Sequence, residues 1–118
     1  MKKLFLIFLV PVLIFSCKEA ENEVTIINSL NNQIDSVLVF GNRNCNPLVF
    51  RSIVPDKPII GYLKNCTIKD GDGSYGVEVY YNNKVIKKGF GYYTNGWMHF
   101  EKLEIIITED ANIVVNQK

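Results

Sequence analysis

The sequence predicts an all-β domain, and three observations support that prediction in a chain of 118 residues. After residue 16 the chain is rich in Ile, Val and Thr but holds only five Leu and two Ala, a composition that favours strands over helices. Apolar residues alternate with polar ones in short runs, as in half-buried strands. Turn residues separate these runs at roughly 10-residue spacing. Together these patterns indicate an immunoglobulin-like β-sandwich of seven or eight short strands, with a small closed β-barrel as the alternative.

Turn residues bound the runs that carry the strand pattern. Pro55 and Pro58 interrupt it, because proline cannot donate to a strand ladder. The Asn pairs at 31–32 and 82–83 predict tight hairpins, since Asn tolerates positive φ. Residues 110–112 are expected to close the last hairpin. The predicted strands cover residues 24–28, 33–40, 48–53, 59–63, 75–81, 84–93, 103–108 and 113–115.

Charge and histidine content exclude several classes of function. The formal net charge is +1, which does not fit a strongly basic nucleic-acid binder, so no nucleic-acid partner is expected. The single histidine, His99, cannot build a His-cluster metal site or a two-histidine relay. No nucleophile motif accompanies it. The sequence therefore predicts a protein that is not an enzyme and that holds no metal or cofactor.

The N-terminal residues have the pattern of an export signal. Lys2 and Lys3 precede an apolar run of 12 residues, Leu4–Phe15, which is shorter than the about 20 residues needed to span a bilayer. Such a run matches the apolar region of a secretory signal peptide. Ser16 and Cys17 follow, and the chain then turns polar. We expect a signal peptide at 1–16, a cysteine and flexible tether at 17–22, and the β-domain at 23–118.

The segment Ile14-Phe15-Ser16-Cys17 resembles the lipobox of bacterial lipoproteins, in the form with a bulky second residue that is typical of Bacteroidetes-type bacteria. Residues 70–75 and 89–96 are also similar to segments of small lipoproteins of these bacteria. The resemblance implies that Cys17 receives a diacylglycerol and becomes the N-terminus after cleavage. It also implies that acyl chains hold the protein on the cell envelope, at the periplasmic or surface face of the outer membrane. The alternatives are an ordinary cleaved signal peptide with an incidental cysteine, or a buried core segment.

The two remaining cysteines, Cys45 and Cys66, are candidates for a disulfide. An oxidising envelope favours their pairing. The two cysteines are 21 positions apart, and closing a loop of that length would stabilise the fold by roughly 3 kcal/mol. The alternative is a pair of free thiols. Neither cysteine lies in a nucleophile motif, and together with His99 they would supply only three ligands of a zinc site.

Two short motifs have both a functional and a structural interpretation. Residues 70–74 (Asp-Gly-Asp-Gly-Ser) resemble the start of a calcium loop, but the later glycine and bidentate glutamate are missing, which favours a structural turn. Asp35-Ser36-Val37 resembles the O-glycosylation motif of Bacteroidetes-type secreted proteins, with Ser36 as the acceptor.

Aromatic residues are concentrated between residues 80 and 100 and include Tyr92, Tyr93 and Trp97. They either fill a small core or form a face that binds sugar rings or protein partners. The favoured function is a non-enzymatic envelope lipoprotein, held to the membrane by the lipid on Cys17 and binding a protein or glycan partner. An inhibitor or immunity lipoprotein directed against a toxin or hydrolase is the alternative. A small hydrolase, which would need a concave pocket with perturbed carboxylates, is a third interpretation.

Overall fold

The all-β prediction is confirmed. The computed structural model describes residues 21–41, 46–64, 73–93 and 101–118, and these ranges contain strands and turns but no helix. The predicted strand boundaries agree with the structure to within three residues. The strands are β1 (Glu21–Asn28), β2 (Ile34–Phe40), β3 (Leu48–Ile53), β4 (Ile59–Lys64), β5 (Gly73–Tyr81), β6 (Lys84–Tyr93), β7 (Lys102–Ile107) and β8 (Ile113–Gln117).

These strands form two four-stranded sheets. The first sheet has the order β4-β1-β7-β8, and the second sheet has the order β3-β2-β5-β6. All neighbours pair antiparallel except β1 and β7, which run parallel. Two separate sheets make a sandwich rather than the closed barrel that was the alternative. Immunoglobulin-like sheets are antiparallel. Because β1 and β7 pair parallel, the immunoglobulin-like type of this sandwich stays a prediction.

The two sheets share one hydrophobic core, to which every strand contributes. Along most strands, buried residues alternate with exposed or half-buried ones, as the two-residue period of a β-strand requires. Each fully buried aliphatic side chain stabilises the fold by about 1.5–3 kcal/mol relative to an exposed one. The core residues are Val24, Ile26, Ile34, Val37, Val39, Phe50, Ile53, Leu63, Tyr75, Val77, Val79, Phe90, Leu103, Ile105, Ile107 and Ile113.

In β2 and in β3, the alternation of buried and exposed side chains is interrupted at one point. In β2, Ile34 and Val37 are both buried although they are three residues apart, and in β3 the same holds for Phe50 and Ile53. The interruption in β3 includes Ser52, whose φ of 53° is in the left-handed region. Because both strands are interrupted together, Ile34 and Ile53 stay opposite each other and close one end of the core.

Two of the three predicted turns are confirmed. Asn82 and Asn83 have φ values of 48° and 57°, as in a two-residue type I′ hairpin, and they join β5 to β6. The turn between β7 and β8 closes through a bond of 2.9 Å from the Thr108 N–H to the Asn112 carbonyl oxygen. The hairpin predicted at residues 31–32 is wrong. Strands β1 and β2 belong to different sheets, so this connection crosses from one sheet to the other.

The strand directions give the sandwich two distinct ends. Strand β1 begins where β4 ends, with Glu21 opposite Lys64, and β7 begins beside them, with Lys102 opposite Glu23. We call this the N-terminal end. The opposite end, which we call the turn end, carries the β5–β6 and β7–β8 turns and the connections from β1 to β2 and from β3 to β4.

Candidate functional site

The structure describes few of the residues that the sequence singled out. Tyr92 and Tyr93 are the last two residues of β6. The residues that lie outside the described ranges are Cys17, Cys45, Cys66, the segment 70–72, Trp97 and His99. The described surface offers three other candidate sites, namely the outer faces of the two sheets and a cleft at the turn end.

Ser36, the predicted glycosylation acceptor, lies in β2, an inner strand of the second sheet. It is half-buried on the outer face of that sheet, and its register partners are Arg51 in β3 and Tyr80 in β5. Asp35 before it is exposed, whereas Val37 after it is buried in the core. Any group attached to the Ser36 hydroxyl would therefore lie between two large side chains.

The outer face of the second sheet consists of three cross-strand rows that the register aligns. The row nearest the turn end combines arginine, serine, tyrosine and valine. The next row combines two apolar residues with a glutamate and a lysine, and the third has a phenylalanine beside two glycines. In strand order the rows are Arg51–Ser36–Tyr80–Val85, Val49–Leu38–Glu78–Lys87 and Phe40–Gly76–Gly89.

Glu78, Tyr80 and Lys87 form a hydrogen-bonded cluster on this face. The Tyr80 hydroxyl donates to Glu78 Oε2 at 2.6 Å, and Lys87 Nζ lies 3.4 Å from Glu78 Oε1. Glu78 and Tyr80 are two residues apart in β5, so strand alternation puts them on the same face. Lys87 is the partner of Glu78 across the β5–β6 hairpin. The alternation of one strand and the register of one hairpin thus suffice to build the cluster.

These contacts keep the Glu78 carboxyl ionised. The hydrogen bond from Tyr80, and then the charge of Lys87, lower the pKa of Glu78 from its ordinary 4.5, although partial burial opposes that change. The same hydrogen bond raises the pKa of Tyr80 from 10.0. At neutral pH the face therefore presents a carboxylate and a neutral hydroxyl. A general acid needs a carboxyl with a raised pKa, so Glu78 does not fit that role.

Beside the cluster, part of the face has no side chains. Gly76 and Gly89 are register partners, and a Cβ on either would meet no atom nearer than 3.7 Å. A flat molecule can therefore approach the backbone closely at this point. Arg51 is exposed on the edge strand β3, and its guanidinium has no partner among the residues that the structure describes.

Sequence patterns singled out the aromatic residues 92, 93 and 97 for binding, but not Arg51 or Glu78. Alternation along β5 predicts that Glu78 faces away from the core, as the structure confirms. Nothing in the sequence shows that Arg51 lies in the same row as Tyr80, because two strand pairings separate them. Predicting that Arg51 and Tyr80 share a row would have required the register of the inner strand β2 with both of its neighbours.

The outer face of the first sheet is apolar over an L-shaped area. One arm follows the edge strand β4, where Ile60 and Tyr62 are each 55% exposed. The other arm is a row across three strands near the turn end, from Ile27 through Ile106 to Val114. We call these five residues the apolar patch. Single exposed apolar residues are normal on proteins, but a contiguous group marks an interaction site.

Three charged side chains in the middle of this face, those of Glu23, Lys102 and Glu104, have polar partners. Lys102 Nζ lies 3.6 Å from Glu23 Oε2, and Asn116 Nδ2 donates to Glu104 Oε1 at 3.1 Å. Both contacts follow from the register, because Glu23 is opposite Lys102 and Glu104 is opposite Asn116. They lie nearer the N-terminal end than the row of Ile27, and so they border the apolar patch without interrupting it.

An open cleft of about 230 Å³ lies at the turn end, between the end of β3 and the start of β4. Pockets that bind small molecules usually measure about 300–1,000 Å³, so this cleft is small for such a role. Its lining includes one titratable side chain, that of Lys57. It therefore lacks the pair of carboxylates that a hydrolase of sugars would require.

Asn28 ties together the chain segments around this cleft. Its side chain is fully buried, and Nδ2 donates to the carbonyl oxygens of Asn32 and Ile53, both at 2.9 Å. Its Oδ1 accepts the Leu30 N–H at 2.9 Å, and its own carbonyl oxygen accepts the Asp56 N–H at 2.9 Å. These bonds connect β1 of the first sheet with β3 of the second, which makes Asn28 a structural residue.

Comparison with known proteins identifies no relative. No protein-family model, no curated protein and no solved structure matches this chain. Within the four described ranges, no group of three or more His, Cys, Asp or Glu side chains could hold a metal ion. The same part of the chain has no helix that is long and apolar enough to cross a membrane. Surface chemistry is therefore the basis for a functional proposal.

Proposed function

We propose that this protein is a cell-envelope lipoprotein, anchored through acyl chains on Cys17, that binds a protein or glycan partner and catalyses no reaction. The export pattern of residues 1–16 and the lipobox-like segment ending at Cys17 support the anchor. Two or three acyl chains, at about 0.8 kcal/mol for each buried methylene, hold a protein on a membrane almost permanently. The partner-binding surface is the outer face of the second sheet.

One observation carries the assignment of this surface. The row Arg51–Ser36–Tyr80–Val85 places an exposed guanidinium, two hydroxyls and an exposed valine along one line across four strands. Tyrosine and arginine are enriched at protein interfaces, because each offers a large contact area together with hydrogen-bonding groups. The same groups suit a glycan, whose hydroxyls need donors and acceptors and whose rings stack on aromatic side chains.

The neighbouring rows extend the surface. Glu78 supplies an acceptor that is ionised at neutral pH next to Tyr80, while the Gly76–Gly89 pair lets a partner approach the backbone. Val49 and Val85, exposed by 40% and 48%, flank the polar groups on the two edge strands. A surface that mixes polar anchors with apolar edges has the composition expected of a reversible binding face.

The anchor has a direct test in cells that express the full chain. With a clickable palmitate analogue, the wild type should be labelled and should sediment with membranes. The Cys17→Ser variant should lose the label and should remain in the soluble fraction. A wild-type protein that carries no label would contradict the anchor, whatever its partner is.

Photo-crosslinking in intact membranes tests the partner. Benzoylphenylalanine at position 85, on the proposed face, should give a discrete adduct with one protein or glycan, and Arg51→Ala in the same chain should reduce its yield severalfold. The matched control places the crosslinker at position 114, which is similarly exposed but lies on the opposite sheet. Equal yields of the same protein or glycan adduct from both positions, or no such adduct from position 85, would contradict the assignment. Identification of the adduct as a toxin or hydrolase would instead favour the inhibitor or immunity role.

A further inference from the structure

We propose that the outer face of the first sheet lies against the bilayer, so that the sandwich is held flat on the membrane with its second sheet pointing away. The occupant of the apolar patch is then the lipid surface itself. This inference rests on the proposed anchor at Cys17, but it makes a separate claim about orientation.

The length of the tether brings the first sheet to the membrane. Only residues 18–20 separate Cys17 from Glu21, the first residue of β1. Four Cα–Cα steps span at most about 14 Å when fully extended. Strand β1 is an inner strand of the first sheet. An acylated Cys17 would therefore keep the N-terminal end of this sheet within a few residues' length of the lipid headgroups.

The apolar patch supplies a second contact, far from the anchor. Ile27 follows Glu21 by six residues in the same strand, a distance of about 20 Å. The row that begins at Ile27 continues through Ile106 to Val114, across the width of the sheet. The anchor lies at one end of β1 and the apolar row lies at the other. Both can contact the lipid at the same time only when β1 runs along the membrane surface.

The side chains of this face suit the interface between water and lipid. Tyr62, on the edge strand nearest to β1, has an amphipathic ring of the kind that is enriched at headgroup depth. The charge of Glu23 is balanced by Lys102, and Glu104 accepts a hydrogen bond from Asn116. These contacts lower the cost of bringing charged groups towards a less polar medium.

A second copy of the chain fits this face less well than the bilayer does. The apolar patch has five residues, whereas a standard protein interface includes roughly 20–30 residues on each side. The anchor also holds the lipid surface next to this face at all times, which gives the bilayer a very high effective concentration compared with any diffusing partner.

The orientation also serves the proposed partner site. The two sheets share one core, so their outer faces point in opposite directions. When the first sheet lies on the lipid, the row of Arg51 and Tyr80 faces the solution or the neighbouring envelope layer. A partner can then reach it without displacing the membrane contact.

The test uses the acylated full-length protein reconstituted into vesicles of phosphatidylethanolamine and phosphatidylglycerol that carry an alkyne on one acyl chain. Benzoylphenylalanine is placed at position 62 in one sample and at position 85 in the other. Both native side chains are about half exposed and both lie on edge strands, but on opposite sheets. We expect a lipid adduct from position 62 and only background from position 85. Ile60→Lys should reduce the adduct from position 62 severalfold.

Four results would overturn the inference. Equal lipid adducts from both positions would mean that the sandwich has no preferred orientation. A protein adduct or a self-adduct from position 62, in place of the lipid adduct, would assign the apolar patch to a partner or to a second copy. The mass of the same sample reports acylation of Cys17. An acylated protein without a lipid adduct at position 62 refutes the orientation alone, whereas an unacylated protein refutes the anchor and the orientation together.

Discussion

The outer faces of the two sheets have different chemistry although each covers the same core with the same number of strands. On the first sheet, Ile60 and Tyr62 are exposed. Beside them, Glu23 pairs with Lys102, and Glu104 accepts a hydrogen bond from Asn116. On the second sheet, Glu78 accepts a hydrogen bond from Tyr80, and part of the surface is bare glycine backbone. The first face therefore combines the apolar patch with charged groups that have polar partners. The second combines a hydrogen-bonded carboxylate, an exposed arginine and bare backbone with apolar edges.

This difference is informative because the core does not require it. The inner faces of both sheets must be apolar for the sandwich to fold, so their composition says nothing about function. The outer faces need only be compatible with water. Exposed isoleucine and tyrosine on one face, and an exposed arginine on the opposite face, are the observations on which the two proposed surroundings, the bilayer and a binding partner, depend.

The largest expected loss of stability comes from the residue that links the two sheets. Asn28→Ala removes three side-chain hydrogen bonds and leaves the Ile53 carbonyl without that donor in the interior. We expect the free energy of unfolding to fall by about 2–3 kcal/mol, measured by urea denaturation. Asn116→Ala, which breaks one exposed hydrogen bond on the outer face of the first sheet, is the control. Similar losses of unfolding free energy from both variants would show that the Asn28 side chain is not the main polar connection between the two sheets.

Two glycines distinguish the inside of the first sheet from the outside of the second. A Cβ at Gly61 would lie 2.8 Å from Cζ of the buried Phe50 ring, whereas a Cβ at Gly76 would meet nothing nearer than 3.9 Å. Gly61→Ala should therefore lower the free energy of unfolding by about 1–3 kcal/mol. Gly76→Ala should leave it unchanged or raise it by up to about 1 kcal/mol.

Thermal and urea denaturation of the two glycine variants check this prediction. Gly76→Ala also probes the binding face, because it fills bare backbone without disturbing the core. A folded Gly76→Ala protein that no longer gives the partner adduct from position 85 would show that close approach to this backbone matters. Equal destabilisation by both alanines would contradict the inward and outward placement of the two glycines.

The smallest expected effect is the pH dependence of the Glu78 cluster. Because the pKa of Glu78 is lowered by folding, its contribution to stability is present above pH 4.5 and is lost as the pH falls through the folded-state pKa. The contribution of Tyr80, whose pKa is raised, is present below pH 10 and is lost as the pH rises through its folded-state value. Since Lys87 is exposed, the Glu78 contribution should stay below about 1 kcal/mol.

Urea denaturation at several pH values measures this effect. Glu78→Gln should be less stable than the wild type at pH 7, and the difference should shrink as the pH falls below 4.5. Tyr80→Phe removes the hydrogen bond that lowers the Glu78 pKa most, so it should weaken the same acid dependence and also abolish the loss at alkaline pH. A difference between wild type and Glu78→Gln that persists unchanged at pH 3 would refute the assigned role of the carboxylate.

Strand positions were accessible to sequence reasoning because their signals are local. Alternation placed Val77 and Val79 on one side of β5 and Glu78 on the other, and the pair Asn82-Asn83 predicted its own turn. Each of these signals depends on residues within one strand or one hairpin. The hairpin expected at residues 31–32 failed because an Asn pair identifies a change of direction but not whether the next strand joins the same sheet.

The candidate binding face depended on pairings between distant segments. Arg51 and Tyr80 share a row because β2 lies between their strands, and no local pattern specifies that neighbour. The parallel pairing of β1 with β7 is likewise a contact between residues almost 80 positions apart in the chain. That pairing carries the row from Ile27 to Ile106 and so completes the apolar patch.

By itself the sequence determined the all-β class, most strand boundaries and the turns at residues 82–83 and 110–112, because backbone preference and the period of two act over a few residues. The export pattern before Cys17 and the expected lipid anchor also come from the sequence alone. Only the tertiary structure decided which strands are neighbours, which face each sheet turns outward and which side chains share a row. Those features depend on burying all eight strands in one common core, a condition that no single segment can express.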